Sequence, residues 1–95
     1  MKFKALNPIL HSPLRLAVMS YLIAKHKSDF TELKAATKAT SGNLSVQLQK
    51  LSDAGYIDII KGYKNNYQHT GVEIRNEGID AFEEYVSAIK GYIDQ

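Results

Sequence analysis

A chain of 95 residues that is 44% hydrophobic and 23% charged, with a net charge of +2, describes one small globular domain with a modest core, over residues 1–95. It contains no cysteine, which excludes a disulfide framework, a thiolate metal site and a cysteine nucleophile together. The charge is unevenly divided: residues 1–75 hold 11 Lys and Arg against 5 Asp and Glu, a balance of +6, while residues 76–95 hold Lys90 against Glu77, Asp80, Glu83, Glu84 and Asp94, a balance of −4. A basic body suits a polyanionic partner, and an acidic terminal segment suits a different task. The apolar run 16–24 is broken by Ser20 and followed by Lys25-His26-Lys27. It lacks a small-residue cleavage site and is too short to span a bilayer, so the expectation is a cytoplasmic protein with no membrane partner.

In chain order, Leu6, Ile9 and Leu10 bring apolar material ahead of a first helix that opens at Ser12-Pro13, a cap residue followed by proline at the first helical position. Leu14, Ala17, Val18, Tyr21 and Leu22 mark one face of that helix, and Leu16, Met19 and Ile23 mark another. A helix apolar on two sides needs cover on two sides. Ser28-Asp29-Phe30 reads as a short edge strand. Thr31 then opens a second helix running from Glu32 to about Lys38, with Leu33 and Ala36 as buried candidates.

The most informative stretch starts at Thr40. Leu44, Leu48 and Leu51 fall at i, i+4 and i+7, one apolar stripe on a third helix of about residues 41–54 capped by Thr40 or Ser41. Its other side carries Gly42, Asn43, Val46, Gln49 and Lys50, small or hydrogen-bonding residues read as free of carboxylate. Gly55 stops this helix, and the order of the second and third helices is a helix-turn-helix pattern. Residues 56–61 and 72–75 read as two strands, with the polar segment 62–71 as an exposed hairpin tip. In a last helix of about residues 76–94, Ile79, Phe82, Val86, Ile89 and Ile93 are spaced 3, 4, 3 and 4, as in a coiled-coil seam. Two apolar faces on the first helix and a seam on the last favour a homodimer built from Leu6, Ile9, Leu10, Leu16, Met19, Ile23, Ile79, Phe82, Val86, Ile89 and Ile93.

With these elements in order, the chain resembles the small stand-alone winged-helix transcriptional regulators of prokaryotes, relatives of the MarR and ArsR families. The likeness rests on Leu10-His-Ser-Pro-Leu-Arg-Leu-Ala-Val-Met-Ser-Tyr-Leu22, on Asp29-Phe-Thr-Glu-Leu33, and above all on the segment from Ser41-Gly-Asn-Leu-Ser45 to Ala54-Gly-Tyr-Ile57. It implies a mainly α fold with a small β-hairpin (α+β), a winged helix-turn-helix, and a dimeric DNA-binding regulator whose first and last helices form the interface. The sequence departs from the family's pattern at the hairpin, or wing: the tip reads Lys64-Asn65-Asn66-Tyr67, with no arginine for insertion into a narrow minor groove.

The third helix is accordingly expected in the major groove, with Ser41, Gly42, Asn43, Ser45, Val46, Gln49 and Lys50 nearest the DNA. Asn43 and Gln49 suit adenine, and Val46 suits a thymine methyl. Lys38, Lys50, Lys61, Lys64, Asn65 and Asn66 suit phosphates, which set affinity more than sequence choice. The expected partner is a pseudo-palindromic double-stranded operator. Tyr63, Tyr67 and His69 are expected to pack on their own strands. His11, His26 and His69 lack ligand spacing, so no metal or other cofactor is expected. No phosphate loop, carboxylate pair or activated nucleophile supports catalysis. Two readings stay open: a protein-interaction module on the same fold without DNA binding, and a small-molecule effector pocket at the dimer interface between the first and last helices, lined by Tyr21, Phe82 and Tyr85.

Overall fold

A computed structural model describes residues 3–94. In order come helix α1 (Pro13–Lys25), strand β1 (Lys27–Asp29), helix α2 (Phe30–Thr37), helix α3 (Ser41–Asp53), strands β2 (Ile57–Lys64) and β3 (Tyr67–Ile74), and helix α4 (Asn76–Ile93). The strands form an antiparallel sheet in the order β1-β3-β2. This is the helix-dominated α+β arrangement expected of a winged helix-turn-helix. No helix among the described residues is long and apolar enough to cross a membrane.

The helix ends follow from short polar side chains and one glycine. Asp29, rather than Thr31, caps α2 by accepting from the Glu32 amide at 2.8 Å, so α2 starts earlier than the sequence pattern indicates. Thr40 caps α3 through Oγ1, which accepts from the Asn43 amide at 3.2 Å. Ser12 holds the cap position of α1 without a side-chain bond. At the far end of α3, Gly55 has φ +82°, its amide donates to Ser52, and the Tyr56 amide donates to Leu51. That pair of bonds and the left-handed glycine make a Schellman stop, which turns the chain directly into β2.

The core is built where the three α3 leucines meet α1 and the sheet. Val18, Met19 and Leu22 of α1, Leu33, Leu44, Leu48, Leu51, Ile57 and Val72 are buried together, with Leu10 and Tyr85. Each fully buried aliphatic side chain contributes about 1.5–3 kcal/mol, so the leucine stripe alone anchors α3. Leu10 and Met19 were expected at a dimer interface. Both are 0% exposed within the single chain, so neither has surface to offer a second copy; the compact amino-terminal turn folds Leu10 inward. That turn is tied by Asn7, whose side chain accepts from the Ile9 amide and donates to the Tyr56 hydroxyl, both at 2.8 Å.

The hairpin is longer and tighter than the sequence pattern implies. Pairing continues to Lys64 opposite Tyr67, so most of 62–71, expected as a loop, is strand. Only Asn65 and Asn66 turn the chain, with φ of 53° and 66°. Positive φ at both central residues is what a two-residue hairpin turn requires, and asparagine tolerates it. The pattern failed because the outer half of the hairpin has no core beneath it, so no apolar alternation marks it as strand. Behind the hairpin, α4 approaches the residue leading into β2 so closely that a Cβ on Gly78 would lie 2.3 Å from the Tyr56 carbonyl oxygen.

Candidate nucleic-acid interface

The turn between α2 and α3 sets the candidate surface. Lys38 ends α2 in the left-handed region (φ 56°), Thr40 caps α3, and the first turn of α3 contains no acid. The positive end of the α3 dipole is therefore uncompensated by any carboxylate of its own, as anion binding there requires. With the leucines turned inward, Ser41, Gly42, Asn43, Ser45, Val46, Gln49 and Lys50 are all exposed. Lys38, Lys61, Lys64, Asn65 and Asn66 are exposed too.

One cleft joins the helix to the wing. Ser45, Gln49 and Ser52 of α3 form one wall, Ile59, Lys61 and Thr70 of the hairpin form the other, and Phe30 and Leu48 close the floor. The strand register explains it: Ile57, Ile59, Lys61 and Tyr63 share one face of β2, opposite Ile74, Val72, Thr70 and Gln68 of β3. The inner end of that face is buried core, and its outer end is the wall of the cleft. Phe30 and Thr70 were not foreseen as members, because only the fold brings them alongside α3, and Ser52 of α3 itself was passed over.

Charge is sorted across the molecule. Lys25 pairs with Glu32, Lys27 with Glu73 at 3.3 Å, and Arg75 with Asp58 and Glu77, each at 3.0 Å. Lys34, Lys38, Lys50, Lys61 and Lys64 make no ion pair among the described residues, and neither do Lys4 and Lys90 elsewhere. The cations of α2, α3 and the wing are thus left without internal partners. One sequence reading needs correction here: the outer face of α3 is not free of carboxylate. Asp53 lies one turn after Gln49 and accepts from its Nε2 at 2.8 Å. The favourable end of α3 for a polyanion is therefore its amino-terminal half.

Asn43 is also held in place. Gln47 Nε2 donates to Asn43 Oδ1 at 3.0 Å, and Arg15 of α1 donates to Gln47 Oε1 and, at 2.6 Å, to the Ile9 carbonyl. This chain of bonds fixes the exposed start of α3 to α1, so Asn43 is preorganised rather than loose. The helix-turn-helix itself is pinned by Glu32, whose carboxylate accepts from both Lys25 and the Tyr21 hydroxyl. The Lys25 ammonium, with the Tyr21 hydroxyl second, holds the Glu32 carboxyl at about 2 against an ordinary 4.5.

The apolar residues expected between two copies divide into separate groups. Ile23, Ile79, Phe82 and Val86 line one groove with His26, Glu83, Ser87 and Lys90. Leu6 and Ile9 line another with Tyr56, Glu84 and Tyr85. Leu16 and Ile89 are half-buried and Ile93 is 72% exposed. Phe82 and Tyr85 thus face different grooves, the Tyr85 hydroxyl is 2.9 Å from His11 Nδ1, and the Tyr21 hydroxyl is taken by Glu32. Within one chain, Tyr21, Phe82 and Tyr85 therefore share no pocket; the effector site was expected between two copies.

A helix-turn-helix whose second helix is anchored by leucines and flanked by a lysine-bearing hairpin defines a winged-helix DNA-binding domain. The chain belongs to that family: its model, described as a winged helix DNA-binding domain, matches residues 14–93. An uncharacterised protein of Methanocaldococcus jannaschii is 30% identical over 81 residues, which cover 85% of this chain and 88% of that protein. A transcriptional regulator homologue from Pyrococcus horikoshii is 29% identical, with a TM-score of 0.84 over 90% of this chain and 85% of that one. The PcaV transcriptional regulator of Streptomyces coelicolor, solved with its natural ligand, shares the fold at 15% identity, with a TM-score of 0.73 over 88% of this chain and 58% of its own.

Proposed function

We propose that this protein is a sequence-specific regulator of transcription that binds double-stranded DNA as a homodimer. The observation that carries the reading is the cleft shared by α3 and the wing, with exposed hydrogen-bonding side chains on the helix and unpaired lysines on both elements. In this reading α3 lies in the major groove along its exposed face, with its amino-terminal half leading and Gln49 following one turn before Asp53. Asn43 and Gln49 exchange their internal bonds for base edges, and Val46 meets a thymine methyl. Lys38, Lys50, Lys61, Lys64 and the amides of Asn65 and Asn66 hold phosphates. The open apolar groove of α1 and α4, with Ile23, Ile79, Phe82 and Val86, is the surface we assign to the second copy. Two-fold symmetry then sets the recognition helices about 34 Å apart, one turn of duplex.

Selection of bound fragments from a random duplex pool tests this directly. The expected outcome is enrichment of an inverted repeat whose half-sites lie one turn apart. A pool that stays random, with no duplex retained at low salt, favours a protein-interaction module on the same fold.

A further inference from the structure

The wing carries a feature that neither the fold nor the lysine contacts use. Of the six tyrosines in the chain, four have their hydroxyls bonded to the chain itself. Tyr21 donates to Glu32, Tyr56 accepts from Asn7, Tyr85 meets His11, and Tyr92 donates to the Lys4 carbonyl. Tyr63 and Tyr67 have no such partner among the described residues, and they are 81% and 79% exposed, the most exposed of the large apolar side chains there. Two bare aromatic rings at the end of a hairpin add nothing to the core and leave apolar surface in water.

Their setting names the occupant. Lys61 and Lys64 flank Tyr63 in sequence, and residues 59–72 contain no carboxylate. Tyr63 continues the face on which Lys61 lines the cleft beside Ser45 and Gln49, while Tyr67 sits opposite Lys64 on the other face. The tip therefore shows one ring and one lysine on each side of a two-residue turn, continuous with the proposed DNA surface. A ribbon with a ring on both faces is too thick for a minor groove about 6 Å wide.

We propose that the wing grips the DNA backbone through Tyr63 and Tyr67, whose rings pack on neighbouring deoxyriboses while Lys61 and Lys64 neutralise the adjoining phosphates. This inference rests on the DNA-binding reading and gives the wing an aromatic, sequence-indifferent contact in place of an inserted arginine.

The test is fluorescence anisotropy of the full chain on a labelled duplex of random sequence, across a salt series, with unfolding curves for every variant. Y63A and Y67A are expected to weaken binding about fivefold each with the salt slope unchanged, because a neutral ring displaces no counterion. K61A and K64A are expected to lower that slope by about one unit each. Y63F and Y67F keep the ring and are expected to bind nearly as the wild type does. The proposal is overturned if the double alanine variant binds like the wild type while K50A does not, or if the phenylalanine variants lose as much as the alanine ones. It also fails if the alanine variants change only the self-association of the free protein. Wild-type protein that ignores the duplex altogether removes the DNA-binding reading itself, a different outcome from any of these.

Discussion

In the proposed reading, Lys38 is a single residue that trades stability against binding. A non-glycine residue at φ 56° carries a left-handed penalty of about 1–2 kcal/mol, and the end of a helix is where glycine most often sits. Lysine there makes no ion pair among the described residues. Lys38→Gly is expected to raise the melting temperature by a few degrees, about 1 kcal/mol, while weakening duplex binding and lowering its salt slope. Calorimetry and anisotropy on the same sample check the two opposite signs. Glu32 is the converse case, a charged residue working for the fold. Its carboxyl sits at about 2 in the folded chain against an ordinary 4.5, so its contribution is complete above about 4.5 and is lost as pH falls toward 2. Urea midpoints of the wild type should therefore decline more steeply across that window than those of Glu32→Gln. Equal slopes would show that the contact with Lys25 and Tyr21 is immaterial to stability.

At the scale of elements, α3 was legible because its leucine spacing records both its conformation and its buried face. Leu44, Leu48 and Leu51 are all buried as that spacing requires. The hydrogen bonds along its outer face were not legible. Gln47 to Asn43 and Gln49 to Asp53 are i,i+4 pairs, of a kind worth a few tenths of a kcal/mol each. That is too little to leave a compositional signal, yet enough to decide which way a side chain points before DNA arrives. Replacing Asn43 and Gln49 together with alanine should leave binding to random duplex almost unchanged and flatten base preference by about 1–3 kcal/mol per lost bidentate contact. Repeating the pool selection with this variant measures the effect, and an unaltered consensus would take both residues out of the reading role. The hairpin was read with the opposite error. Its inner half alternates and was found, whereas its outer half has no core below it and passed for a loop. The expected packing of Tyr63 and Tyr67 failed for the same reason, since no apolar surface lies beneath them.

The whole molecule is elongated, 56 Å long and 24 by 21 Å across, so a single chain leaves part of α4 uncovered. Val86, in the groove with Ile23 and Phe82, lies where a charge is tolerable in an isolated chain and costly between two. Sedimentation is expected to give the wild type twice the chain mass of 10.6 kDa and Val86→Glu the single mass, with the variant's duplex affinity falling as the two-fold contact is lost. A wild type that sediments as a monomer would end the dimer reading.

Local periodicity and short-range capping are written residue by residue, which is why the helix order, the α3 stripe and the Gly55 stop could be read from the chain alone, with the winged-helix class following from the family resemblance. Burial of Leu10 and Met19, the tight seat of Gly78 on Tyr56, and the partition of the apolar residues into two grooves depend on which distant segments meet. Those outcomes belong to three-dimensional packing, because a residue's surroundings are set by the sum of many weak contacts that no neighbouring stretch of sequence encodes.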